Sequence, residues 1–269
     1  MGVLNVTPDS FYDGGRYLEP ESARAQVDRL LQEGADIIDV GAESSRPGSA
    51  AVSADEQLAR LETALRYAVA RGALVSIDTT SAEVAARALE LGAHIVNDVS
   101  CLAEPELARV TAEAGATLVL MHARGPMSAQ RGFSVYPDSG YGDVVHDVLA
   151  EWRAARDRAV AAGLERADIW LDPGLGFAKN ARQSFELLAR LGELTHEGVP
   201  VVVGASRKSF IASVDGAPPA ERLGGTIAAC LAAVARGARV LRVHDVLAVR
   251  QALAVARLAE PTRAEARHA

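Results

Sequence analysis

LDPGLGFAK, residues 171–179, follows the short apolar run Ile169-Trp170-Leu171. The run reads as a buried strand, and its end carries a carboxylate, Asp172, which is costly there unless something pairs with it. Pro173 fixes the exit, and Gly174 and Gly176 allow a tight turn and the close approach of a ligand before Lys179. Taken alone, the stretch is equally a strand-to-helix turn with a capping Asp. Repetition decides. Gly34, Gly72, Gly92, Gly115, Gly163, Gly198 and Gly237 each close a helical stretch, and each precedes an apolar run: ADIIDV, ALVSID, AHIVND, ATLVLM, ADIWLD, VPVVVG and ARVLRV. Glycine just past a helix is the usual left-handed stop. Short β-branched runs are what parallel strands covered on both faces look like. With Val3-Leu4-Asn5-Val6 at the start, the runs predict eight strands.

The segments between them carry helical periodicity at 54–70, 141–162, 180–192, 222–236 and 245–258. Ser53 and Glu56 have capping-box spacing in front of the first of these. Eight alternating units in roughly 250 residues predict an α/β fold of the (β/α)8 TIM-barrel type. A doubly wound open sheet is the rival, but the first strand is not followed by G-x-G-x-x-G. No linker divides the chain, so residues 1–260 read as one domain and 261–269 as a frayed tail. Loops 7–19 and 41–52, after the first two strands, are long, as is 123–140. In a barrel such loops sit at the catalytic face.

Composition narrows the function. A net charge of −7 over 269 residues disfavours wholesale binding to nucleic acid or to an anionic membrane. No 18-residue apolar span and no signal peptide are read, which predicts a cytoplasmic protein. Cys101 and Cys230 have no metal or redox spacing and read as small buried side chains.

Polar groups gather at the C-terminal strand ends: Asn5; Asp39 with Glu43, Ser45 and Arg46 beyond it; Asp78; Asn97 and Asp98; Met121 and His122; Asp172; Ser206, Arg207, Lys208 and Ser209; Arg242, His244 and Asp245. A barrel brings all of these to one mouth. Some have blander readings. Asp98 and Asp245 suit helix caps, Asp39 suits the buried partner of a barrel cation, and His94, His146, His196 and His268 suit packing or surface positions. The remainder suits a flat heterocycle. Asp172, Asp78 and Asn97 offer acceptors and an amide to an edge of N–H donors. Lys208 offers a donor to a carbonyl or ring nitrogen, and Arg242 can stack on the ring or meet an anion. Asn5, Ser45, Arg242 and His244 form a second, anion-seeking group. SRKSF opens a short helix whose N–H groups favour a carboxylate or phosphate.

LNVTPDSF, DVGAESSRPG, SIDT, VND, LDPGLGFAK, GASRKS and RVHDV occur in this order across nearly the whole chain. Together they resemble the bacterial dihydropteroate synthases of folate biosynthesis. The resemblance implies a homodimeric barrel, a target of sulfonamides, that condenses 6-hydroxymethyl-7,8-dihydropterin diphosphate with p-aminobenzoate, assisted by Mg²⁺. It implies pterin binding by Asp78, Asn97, Asp172, Lys208 and Arg242, and Mg²⁺ binding by Asn5. It implies diphosphate binding by Asn5, Ser45, Arg242 and His244, and p-aminobenzoate binding by Phe177, Lys208, Ser209 and Arg46. Asp13, Ser45 and Arg46 would order over the diphosphate. Ser45 and Ala42 depart from the commoner Thr and Gly without removing a required group. The first strand also lacks the short segment that usually precedes it, for which a stability effect is expected. A pterin-dependent methyltransferase shares the barrel but has no need of SRKS or the SSRPG loop. A non-catalytic pterin-binding paralogue should have lost Asn5, Arg46, Lys208 or Arg242.

Overall fold

The computed structural model describes residues 1–6, 20–42, 52–125 and 136–259. The first expected loop, residues 43–51 of the second and 126–135 of the third lie outside the described residues, as do Asp13, Glu43, Ser45, Arg46 and the 261–269 tail.

Eight parallel strands alternate with helices. The strands are β1 (Gly2–Asn5), β2 (Ile37–Gly41), β3 (Leu74–Asp78), β4 (Ile95–Asp98), β5 (Thr117–Met121), β6 (Ile169–Asp172), β7 (Val202–Val203) and β8 (Val240–Leu241). The helices are α1 (Pro20–Gln32), α2 (Ala54–Ala70), α3 (Ala82–Glu90), α4 (Glu106–Glu113), α5 (Val144–Ala161), α6 (Ala181–Ala189), α7 (Leu191–Leu194), α8 (Ser209–Ala212), α9 (Leu223–Ala235) and α10 (Val246–Ala259). Strands β1 to β6 pair in sequence order, and β7 pairs with β8. Single bridges, Leu171 with Val201 and Gly2 with Val243, join the two sets and close the ring. Leu171 N–H donates to Pro200 O at 2.9 Å and Val3 N–H to Val243 O at 3.0 Å across these joins. This is the expected TIM barrel. The runs VPVVVG and ARVLRV form shorter strands than predicted because their outer neighbours meet them through those bridges and not through full ladders.

All seven glycines read as helix stops have positive φ, from 62° at Gly115 to 108° at Gly163, a region closed to most side chains. Ser53 caps α2 by accepting from Glu56 N–H at 3.3 Å, but the Glu56 carboxylate pairs with Arg60, so the box is half made. The complete box is at α6, where Asn180 and Gln183 exchange bonds of 2.9 Å.

Period-two alternation sorts the strand residues between two cores. Outward side chains such as Ile38, Val40, Leu118 and Leu120 join helix residues such as Leu61, Leu65 and Trp152. Each such Leu or Ile gains about 1.5–3 kcal/mol by leaving water. Inward side chains form tiers. The lowest is apolar: Met1, Ile37, Ile95, Val119 and Val202, with Trp170 and Val240 against them. Above it Asp39 and Ser76 face each other in register across β2 and β3. Two residues higher, Asn5, Gly41, Asp78 and Asn97 fall in one row across β1 to β4. The barrel is thus a greasy plug beneath a polar mouth.

Candidate active site

Arg242, immediately after β8, is the central cation of that mouth. Its Nε donates to Asp39 Oδ2 and its Nη2 to Asp78 Oδ2, both at 2.6 Å. Asp39 is fully buried and also accepts from Asn97 Nδ2 at 3.4 Å. It is the buried partner of a barrel cation. Burial alone would lower the Arg242 pKa, but Asp39 and Asp78 outweigh it and keep the guanidinium firmly charged. The planar fork spans two strands, which a lysine could not do. Two glycines leave room above. A Cβ at Gly41 would lie 3.3 Å from Asp78 Cβ, and one at Gly204 would lie 3.6 Å from Lys208 Nζ and 3.9 Å from Asp172 Oδ2.

Asp172 is buried at the end of β6, where Gly174 N–H donates to its Oδ1 at 2.7 Å. Burial raises its pKa, and the Lys208 charge opposes the rise. Burial pushes Lys208 down to about 8, with Asp172 pulling the other way. Lys208 Nζ donates to Leu175 O at 2.7 Å and lies 4.6 Å from the centre of the Phe177 ring. Phe177 packs with Val99, Met121 and Ala123. The expected residues Asp78, Asn97, Asp172, Phe177, Lys208 and Arg242 are therefore linked to one another at the barrel mouth.

His244 stands at the rim with its outer edge exposed. The protein packed around its inner side and the Arg242 charge hold it at about 4, so it is neutral at pH 7. Its Nδ1 meets Ser206 Oγ at 3.0 Å. With the Ser206 hydroxyl donating there, the ring proton sits on Nε2. Ser209 begins α8, which has only four residues and hence a weak dipole. Arg207 is taken up by Asp245, at 2.6 and 2.8 Å. Asp245 is thus an ion-pair partner of Arg207 and not simply a cap. Asp98 also differs from the expected helix cap. Alternation turns it away from the barrel, and it accepts from Ser100 N–H at 2.9 Å and Leu102 N–H at 2.6 Å, bracing a turn in which Cys101 and Leu102 have positive φ.

His122 does not reach the mouth. It follows the inward Met121, so parity sends it outward, where it is fully buried. Its Nε2 meets Glu151 of α5 at 2.9 Å and its Nδ1 meets Lys179 Nζ at 2.9 Å. Arg124 closes the chain on Glu151. Sequence reasoning passed over Lys179 and Glu151. One signal was available: among 26 arginines the chain has two lysines, Lys179 and Lys208, and both lie against this turn.

A family model described as pterin binding enzyme matches residues 1–244. The dihydropteroate synthase of Mycobacterium leprae is 47% identical over 95% of this chain and 91% of its own length. A second protein of that organism, named inactive dihydropteroate synthase 2, is 40% identical over 98% of this chain and 91% of its own. Two solved structures of Xanthomonas albilineans dihydropteroate synthase, one with 4-aminobenzoic acid and one with 7,8-dihydropteroate, align with TM-scores of 0.87 and 0.84 at 40% and 38% identity, each covering 97% of this chain and 93% of theirs. With the family model spanning most of the chain and relatives of this identity along nearly all of it, the chain belongs to the pterin-binding enzymes, in the dihydropteroate synthase family.

Proposed function

We infer that this mouth condenses 6-hydroxymethyl-7,8-dihydropterin diphosphate with p-aminobenzoate, giving 7,8-dihydropteroate and diphosphate. The observation that carries it is the pairing of an acceptor wall, the buried Asn97 and Asp172 with the half-buried Asp78, with the fixed Arg242 and the adjustable Lys208. Asp172 accepts from the N–H edge of the pterin, and the Lys208 ammonium favours its ionised form. Asn97 and Asp78 meet the other edge, and Lys208 donates to a ring carbonyl or nitrogen. Arg242 lies against the ring and, with His244 Nε2–H at the rim, faces the diphosphate. As the C–O bond to diphosphate breaks, these donors meet the growing negative charge. The pterin ring delocalises the positive charge left on its methylene. The p-aminobenzoate nitrogen, held over Phe177 and Lys208, attacks that carbon and releases a proton to solvent. No side chain acts as nucleophile, and the rate comes from positioning and electrostatics.

Asn5 fits a Mg²⁺ site. Its Oδ1 is a hard oxygen donor, and a Cβ at Gly41 would lie 3.7 Å from it and 3.7 Å from Asp78 Oδ2, so the oxygens flank one gap. Mg²⁺ commonly takes one or two protein oxygens and completes its shell with water and phosphate. Among the described residues no cluster of three His, Cys, Asp or Glu forms a denser cage. When bound, the ion would neutralise charge on the leaving diphosphate. The proposed site also includes Asp13, Ser45 and Arg46 as partners of the diphosphate and Ser209 as a partner of the substrate carboxylate. No helix of the described residues is long and apolar enough to cross a membrane.

The test is diphosphate release and 7,8-dihydropteroate formation with both substrates and Mg²⁺. Release that depends on p-aminobenzoate supports the reading. Because one relative is named inactive, turnover is the deciding measure: tight pterin binding without product would favour a non-catalytic pterin-binding protein. Product from a methyl-group donor would favour the methyltransferase.

A further inference from the structure

Lys179 is fully buried at the end of the Gly174–Phe177 turn, on the side away from the mouth. Its Nζ lies 3.1 Å from Gly174 O, 3.0 Å from Phe177 O and 2.9 Å from His122 Nδ1. An ammonium has three N–H donors, which match the three nearest acceptors; a fourth, His122 O, is more distant at 3.5 Å. The other face of the turn is held by the chain's second lysine, Lys208, through Leu175 O at 2.7 Å. The turn is strained where Lys179 joins it, since Ala178 has φ of 51°. It also has little room to shift, because a Cβ at Gly174 would lie 2.0 Å from His122 O.

We propose that Lys179 is a positioning residue for the aromatic-amine substrate: its three-donor clamp on Gly174 O, Phe177 O and His122 Nδ1 sets the height of the Phe177 wall. The proposal rests on the reading of Phe177 and Lys208 as the p-aminobenzoate wall. It does not require Lys179 to touch substrate.

The clamp is pH-sensitive. Neutral Lys179 keeps two N–H groups and must release one of the three acceptors. Burial lowers it to about 7, against the pull of Asp172. The other groups facing it are Lys208 after β7, Arg124 and His122 after β5, Cys101 after β4, Glu151 on α5 and Tyr141 before α5. His122 is held at about 4, first by burial and then by the Lys179 charge. It is therefore neutral, donating from Nε2–H to Glu151 and accepting at Nδ1. Only the Lys179 end of this chain titrates near neutrality. As pH rises through 7 the clamp loses one donor, and the wall loosens.

The experiment compares Lys179→Met, Phe177→Ala and wild type in steady-state turnover from pH 6.5 to 8. At pH 6.5 Lys179→Met, which removes all three donors, should raise KM for p-aminobenzoate by about tenfold or more, at least the scale of one lost charge-assisted hydrogen bond. KM for the pterin diphosphate should stay within about twofold. In wild type KM for p-aminobenzoate should rise with pH through neutrality, and in Lys179→Met that rise should vanish. An unchanged KM for p-aminobenzoate, or equal rises for both substrates, overturns the proposal. If Phe177→Ala weakens p-aminobenzoate and Lys179→Met does not, this proposal alone fails. If Phe177→Ala has no effect, the wall itself is misassigned and both fail. Should Lys179→Met not fold, wild type labelled with [13Cε]lysine decides, since it holds two lysines and Lys208→Arg distinguishes them. Binding of p-aminobenzoate with Mg²⁺-diphosphate should move the Lys179 midpoint upward by linkage. A midpoint that does not move overturns the clamp.

Discussion

Asp39→Asn tests whether Arg242 is set by a carboxylate that no ligand touches. Asp39 is fully buried and takes Arg242 Nε at 2.6 Å and Asn97 Nδ2 at 3.4 Å. The substitution keeps shape and one acceptor but removes the charge. A hydrogen bond to a charged group contributes about 1.5–3 kcal/mol. Removing one partner of a buried ion pair can cost about 3–5 kcal/mol. Asp78 still holds the other end of Arg242, whose side chain is 19% exposed, so we expect a loss of about 2–3 kcal/mol, within the first range and no higher than the bottom of the second. The new amide has a partner within the same tier: Asp39 Oδ1 and Ser76 Oγ have none among the described residues, and the two positions are aligned across β2 and β3. The variant should therefore fold. For a chain of this size the loss corresponds to a fall in Tm of roughly 5–10 °C. Arg242, pulled toward Asp78 alone, should leave its place against the pterin, lowering kcat/KM for the pterin diphosphate about tenfold or more, the equivalent of ~1.4 kcal/mol. Calorimetric melting and steady-state kinetics measure the two effects. A variant with wild-type melting and wild-type kcat/KM would show that the Asp39 charge neither holds nor aims Arg242.

Asp172→Asn should cost about 2–3 kcal/mol in pterin affinity by calorimetry, as expected for one charged buried acceptor; unchanged affinity would remove Asp172 from the pterin site. His122 and His244 are held at about 4 in the folded protein, against ~6.5 in an unfolded chain. At these two positions the unfolded chain takes up protons first as pH falls, so their contribution to stability is full above about 6.5 and declines toward 4. A melting series over that window should show the decline, and His244→Asn should blunt it. We also propose a two-chain assembly through the last two helices, where Val234 on α9 and Leu247, Val255 and Leu258 on α10 are 42%, 62%, 62% and 87% exposed. Light scattering should give twice the chain mass at tens of micromolar, and Leu258→Asp with Leu247→Asp should halve it; a wild-type monomer mass refutes the assembly.

The barrel was legible because its signals are local and repeated: a glycine, an apolar run, a polar end. Most of the mouth was legible for the same reason, since strand ends in a barrel must converge. What escaped depends on parity and on side chains far apart in sequence. His122 was grouped with the mouth because it follows a strand, yet the inward Met121 before it already sends it to the helix layer. Asp98 was read as a helix cap, but Pro105 stands ahead of α4, and Asp98 is spent on a local turn. Asp245 precedes α10 as a cap would, but Arg207, 38 positions earlier, claims it. No spacing rule announces Lys179 against His122 and Glu151: β5 and β6 are paired neighbours, but His122 and Lys179 lie 57 positions apart and meet only through the shape of the Gly174–Phe177 turn.

The cations of the site divide by how firmly the fold fixes their charge. Arg242 faces two carboxylates on adjacent strands and keeps its proton at any working pH. Its rigid fork suits a role that must not vary, bridging β2 and β3. Lys208 and Lys179 are as deeply buried, but each has fewer counter-charges, and burial brings them down to about 8 and about 7. An arginine at either place would replace a compact ammonium with a planar fork. It would also remain charged when the site is empty. A lysine near neutrality can take or lose its proton as Asp172 gains or loses a ligand, so the charge in the wall adjusts to occupancy. The permanent charge thus bridges β2 and β3, and the two adjustable ones hold opposite faces of the Gly174–Phe177 turn.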